Sequence, residues 1–270
     1  MQTARKILIA LGILIFFNSC DITEKEHVNN KKDNKELIIY CENALAPSIN
    51  ELKKEFEKKY NCKVIIQNDC ARNLIGLINY SFKGDIFIPS SHHSFDLLKN
   101  RSNADIIDSS FIGYNKLVFM VAKGNPKGFD GKLSTLISRD LSLIIANPES
   151  GSLGYETKKA LVAQKVYNKI LNNVVSLSMD SKGLIKSLKN RQADVVINFA
   201  STIFINGSIN YVDIIPFNPD IRYSMKVYAG ILSTTNHEEL AKDFLTFVST
   251  SEGKSILNKY GISKRNTLVF

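Results

Sequence analysis

Few residues in this chain combine chemistry with a useful spacing. His92 and His93 with Asp96 bring two imidazoles and a carboxylate within one turn, the raw material of a metal site. Neighbouring histidines on a helix point about 100° apart and rarely share one ion. A surface helix start capped by Ser90 or Ser91 is the better reading, and no metal is expected. Ser, His and Asp all occur, but no Gly-x-Ser-x-Gly elbow presents a nucleophile. No glycine-rich phosphate loop ending in Lys-Ser/Thr is present, so a P-loop ATPase is not expected. Cys41, Cys62 and Cys70 match no zinc spacing. Cys41 and Cys62 fall at expected strands and read as small buried hydrophobes rather than a disulfide, although one pair could form in an oxidising compartment. No enzyme and no cofactor follow from these residues.

One stretch does suggest binding. Residues 143–160 run from a short apolar strand through Pro148 and Gly151 into an amphipathic helix starting near Leu153. A strand, a small-residue turn and a helix leave unpaired N–H groups at the helix start. The macrodipole makes such a start hospitable to an anion. An ordinary connection capped by Ser150 or Ser152 is the alternative at this point. Tyr155 and Glu156 could reach the cleft or pack on that helix, and packing is the better reading.

The elements that must position this turn alternate. Strands are expected at 36–41, 62–67, 84–89 and 113–122, with helices at 47–60, 74–80 and 94–99 between them. A turn region at 124–131 follows. A second series places helices at 133–137, 153–171 and 182–190 among strands at 141–146, 174–177 and 193–198. Strands at 211–216 and 225–232 and helices at 238–248 and 252–260 close the chain. Alternation of this kind predicts α/β lobes with mostly parallel sheets. Two lobes joined by crossing strands are expected, with a hinge near 116–121 and 225–230. Lobe 1 would hold 36–118 and 228–270, and lobe 2 would hold 119–227.

The N-terminus reads as an export signal. Arg5 and Lys6 precede an apolar run from Ile7 to Phe17, too short to span a bilayer comfortably. Ser19-Cys20 resembles a lipobox, with Cys20 as the lipidated residue, although Phe17 and Asn18 depart from that pattern. Residues 1–20 are the expected signal and 21–35 a polar tether. The expectation is a monomer anchored by lipid to a bacterial membrane, facing the periplasm or cell exterior. The 270 residues are 44% hydrophobic and carry a net charge of +9. The lysines are spread out, with no nucleic-acid-binding signature. A positive average field would attract an anionic ligand or membrane surface.

Several short tags in order resemble the molybdate- and tungstate-binding receptors of ABC importers, which have the two-lobed periplasmic-binding-protein type II fold. They are Tyr40-Cys41-Glu42-Asn43-Ala44-Leu45-Ala46-Pro47, Lys83-Gly84-Asp85-Ile86-Phe87-Ile88 and Lys123-Gly124-Asn125-Pro126-Lys127-Gly128. Asn147-Pro148-Glu149 with Gly154, Ala193-Asp194-Val195-Val196-Ile197, Ser251-Glu252-Gly253 and Tyr260-Gly261 complete the set. The resemblance implies a receptor that captures a small oxyanion between its lobes and delivers it to a permease with its ATPase. It places ligand contacts at Asn43 and Ala44, Ala71 and Arg72, Ser152, Leu153 and Gly154, Ser181, and Phe199.

The chain departs from that family at several of these positions. Relatives usually have Ser or Gly where Ala44 stands, and a Gly-Gly-Ser-Gly-like turn in place of Asp69-Cys70-Ala71-Arg72. They usually have Tyr or Trp at Phe199, and tungstate-type relatives have a carboxylate near Gly151 or Asn198. A hydrogen bond to a charged group is worth about 1.5–3 kcal/mol. Losing two or three such hydroxyls would weaken oxyanion binding roughly a thousandfold or more. Arg72 could compensate with its forked guanidinium, unless Asp69 occupies it. A small organic solute, or a sensing or surface role on the same fold, remains the alternative.

Overall fold

The computed structural model describes residues 35–138, 140–217 and 223–264. The expected signal peptide, Cys20 and the tether up to residue 34 lie outside the described residues. Among those described, no helix is long and apolar enough to cross a membrane.

β1 (Glu36–Glu42) is buried along most of its length, as expected for a strand covered on both faces. A 3-10 turn (Asn43–Leu45) leads into α1 (Ala46–Tyr60). Pro47 sits in the first turn of α1, where its missing N–H costs nothing, and Asn61 ends the helix in the left-handed conformation. β2 (Lys63–Asp69), α2 (Ala71–Ser81), β3 (Ile86–Ile88) and α3 (His93–Arg101) follow. β4 (Ile106–Ala122) then runs for 17 residues.

The second series is α4 (Leu133–Ser138), β5 (Leu143–Ala146), α5 (Ser152–Ala163), α6 (Tyr167–Leu171), β6 (Val174–Ser178) and α7 (Ser181–Lys189). β7 (Val195–Phe199), a kinked 3-10 segment (Ala200–Asn210) and β8 (Val212–Pro216) complete it. β9 (Ser224–Leu232), α8 (Glu238–Ser249) and α9 (Ser251–Lys259) end the described chain.

The strand order is β2-β1-β3-β9-β4-β7-β5-β6, with β8 on β4. β1 is parallel to β2 and β3, and β5 is parallel to β6 and β7. The crossing strands are antiparallel to their neighbours. β4 pairs with β9 as far as Lys116, with β7 from Leu117 and with β8 from Val118 onward. The result is the two-lobed α/β architecture, two helix-flanked sheets sharing long strands.

The core divides accordingly. Ile49, Leu52 and Phe56 of α1 pack with Phe244 and Phe247 of α8 on one face of the β1 sheet, Phe56 and Phe244 meeting edge-on at 5.1 Å. α2 and α3 cover the other face around Tyr40, Ile78 and Phe87. The second core gathers Phe119, Ile145, Leu161, Leu184 and Phe199, and reaches Met225 on β9, whereas Val227 belongs to the first.

Candidate functional site

β1 ends in a carboxylate. Glu42 follows five residues of apolar strand and is only 6% exposed. Its Oε1 accepts hydrogen bonds from the amides of Ala71 (3.2 Å) and Ser152 (3.1 Å), and its Oε2 accepts from the amide of Ser90 (2.5 Å). Ala71 and Ser152 are the first residues of α2 and α5, so two helix N-termini point at one carboxyl group. Burial pushes the Glu42 carboxyl above its ordinary range, while hydrogen bonds from Ser152, Ser90 and Ala71 pull it back.

The α5 start is not self-capped. Its N-cap is Gly151, with no side-chain cap, and the Ser152 amide goes to Glu42 instead. The Ser152 hydroxyl accepts from the Ser91 amide at 3.0 Å and meets the Ser94 hydroxyl at 2.8 Å. A Cβ on Gly151 would stand 2.7 Å from Glu42 Oε1, so only glycine lets the carboxylate come this close. Gly154 has a different reason: a Cβ there would lie 1.9 Å from the Asn147 carbonyl oxygen, where the turn folds onto the helix.

α7 starts in the same cleft. Asp180 is its N-cap, accepting from the Gly183 amide at 2.7 Å, and its other oxygen takes the Asn43 side-chain amide at 2.5 Å. Asp69, before α2, accepts from the Cys70 amide and the Asn73 side chain. Glu42, Asp69 and Asp180 thus line one small cavity with Asn43, Ala44, Ser90, Leu153, Ser181 and Phe199. Its free volume is ≈ 20 Å³, room for about one water. Asn43 Oδ1 and the Ser90 hydroxyl are buried there without a hydrogen-bond partner.

Of the expected contacts, Asn43, Ala44, Leu153, Ser181 and Phe199 line the cavity. Ala71 and Ser152 adjoin it through amides given to Glu42. Arg72 differs. Its side chain is exposed and outside the lining, and its amide donates to the Ser150 carbonyl at 3.0 Å. The side chain leaves because Arg72 is the second residue of a helix whose buried face begins at Ala71 and Leu74. Gly154 serves packing, as its contact with Asn147 requires. Sequence reasoning missed Glu42 as a site residue. A charge at the end of an apolar strand was its signal, since a buried carboxylate must find donors.

The two histidines make separate contacts. His93 stacks on Tyr155 with ring centroids 3.4 Å apart, while His92 lies 4.0 Å from Asp96. Among the described residues no group of His, Cys, Asp or Glu could hold a metal ion. The expected caps are absent: α3 has no side-chain cap, and the Ser90 and Ser91 hydroxyls are buried without a hydrogen-bond partner. Cys41, Cys62 and Cys70 are free thiols.

Strand C-termini and helix N-termini that close on one polar cavity between two sheets define a ligand-capturing protein of the periplasmic-binding type. The chain belongs to the bacterial extracellular solute-binding protein family, whose model matches residues 37–263. It is 20% identical over 260 residues to a Bacillus subtilis (strain 168) protein named "Putative ABC transporter substrate-binding lipoprotein YvgL", covering 95% of this chain and 96% of that one. The fold resembles the Azotobacter vinelandii periplasmic molybdate-binding protein, with a TM-score of 0.68, 16% identity, and 87% of this chain and 100% of that one covered. It also resembles a periplasmic thiamin binding protein, with a TM-score of 0.66, 14% identity, and 87% and 85% coverage.

Proposed function

We propose that this chain is the solute-capturing lipoprotein of an ABC importer, anchored through Cys20 and delivering a small polar solute to a permease with its ATPase. The family and the name of the Bacillus subtilis relative support the transport class. We place lobe 1 at 36–118 with 228–270, lobe 2 at 119–227, and the solute in the cleft beside Glu42, whose small cavity must widen to admit it. Capture is a population shift, since a solute touching both lobes favours the closed form.

The observation that carries the solute class is the lining. Three carboxylates, Glu42, Asp69 and Asp180, border the cavity, and among the described residues no lysine or arginine lines it. Unpaired Asn43 Oδ1 and the Ser90 hydroxyl offer further acceptors. A small organic solute with amine or hydroxyl donors suits this lining better than a bare oxyanion. Molybdate or tungstate is the second reading, favoured by the convergent amides of α2 and α5, and it requires Glu42 to turn away.

A thermal-shift panel separates the two. Amines, polyols and thiamin form one arm, and molybdate, tungstate, sulfate and phosphate the other. A fitting solute at one hundred times its Kd adds about 2.7 kcal/mol, or roughly 5–10 °C for a chain of this size. Stabilisation in the organic arm alone is expected. Stabilisation by molybdate or tungstate alone would restore the oxyanion reading. Permease and ATPase genes beside this one are expected for a transporter, and their absence would favour a sensing or surface role.

A further inference from the structure

The donors around Glu42 form a seat for an anion, and the chain fills it itself. Two helix N-termini of 11 and 12 residues, plus the Ser90 amide, converge on one carboxylate. We infer that Glu42 is a built-in anion: its carboxylate takes the place a solute oxyanion would occupy, keeps such anions out, and ties the two lobes together without solute. This rests on the reading that the cleft is the solute site.

Three observations carry the inference. The amides come from both sides of the cleft, Ala71 and Ser90 from the sheet of β1 and Ser152 from the sheet of β5, so one side chain bridges what a solute would bridge. The space remaining beside Glu42 is small, ≈ 20 Å³, and the amides that would hold an anion there are already given to the carboxylate. Gly151 has no Cβ where one would stand 2.7 Å from Oε1, so the turn admits the carboxylate. A buried glutamate with a merely structural role would leave no anion site when removed. A built-in anion leaves one.

The test uses the full chain, as wild type, Glu42→Ala and Glu42→Gln. Binding of molybdate and sulfate is measured by calorimetry, and lobe closure by small-angle scattering without solute. Glu42→Gln keeps the shape and one acceptor oxygen, and turns its NH2 either toward the Ser90 amide or toward those of Ala71 and Ser152. Wild type is expected to take up neither anion at millimolar concentration, and Glu42→Ala to bind one or both at least tenfold more tightly. Glu42→Ala should show a larger radius of gyration than wild type and Glu42→Gln a smaller change, and anion should return Glu42→Ala to the wild-type value.

A folded Glu42→Ala chain with no gain in anion affinity overturns the inference, as does wild type binding the anions equally well. A variant that folds only when molybdate or sulfate is added gives the same answer as gained binding. One that stays unfolded with the anion present overturns it, since the anion then does not stand in for the carboxylate. The scattering arm needs no solute, so a wrong solute class under the proposed function leaves its result intact.

Discussion

His93 lies flat on Tyr155, where aromatic contact holds α3 against α5. Burial lowers the affinity of its imidazole for a proton and outweighs the upward pull of Asp96, Glu156 and Glu149, while nearby Lys159 adds to the lowering. The folded pKa therefore lies below the unfolded value of about 6.5. The unfolded chain binds the proton first as pH falls, so this contribution to stability is complete above that value. It is lost as pH drops through the window beneath it. Thermal unfolding of wild type and His93→Phe between pH 7.5 and 5 checks the sign. The wild-type midpoint should fall more steeply, because phenylalanine keeps the stack and removes the proton. Equal slopes would show that His93 titrates alike in both states. At this scale the sequence carried the residue types and not their partners. Glu42 finds donors 29, 48 and 110 residues away, and no local pattern encodes such pairings.

Three helix starts meet in the cleft, and each is held by a carboxylate of this chain, α2 and α5 by Glu42 and α7 by Asp180. Asp180 caps α7 through the Gly183 amide and also holds Asn43. Removing an N-cap side chain costs about 0.5–2 kcal/mol. Asp180→Ala should therefore lower the urea midpoint by that stability without changing the slope m. Asp180→Asn, which still caps, should recover most of the loss. A change in slope would mean that the variant altered compactness instead. The elements themselves were largely written in local pattern, as in the buried run 37–41 and the apolar face Ile49, Leu52 and Phe56. β4 was the exception. It begins at Ile106 rather than 113, because Asp108, Ser109 and Ser110 look like loop and become strand only by pairing with β9. The segment Ala200–Asn210 was also missed, since its kink at Asn206 and Gly207 erases helical periodicity.

Across the whole molecule, the two sheets meet through more than their shared strands. Glu42 accepts from Ser152, Asn43 donates to Asp180, the Arg72 amide donates to Ser150, and Asn115 donates to Ser201 at 3.1 Å beside the partner change on β4. Arg101 and Glu149 also pair at 3.4 Å, but both are exposed and such pairs add little. Buried connections of this number should couple the unfolding of the two cores. Hydrogen exchange reads the coupling directly. Amides of β1, such as Leu37 and Ile39, and of β7, such as Val196 and Ile197, should exchange in wild type through one opening of common free energy. Glu42→Ala removes the central connection, and the β1 and β7 groups should then separate into two openings. Arg101→Ala should leave them together. Two distinct openings already present in wild type would show that the cleft contacts do not unite the cores. In that case only β4 and β9 would hold the lobes to each other, and closure would depend wholly on solute.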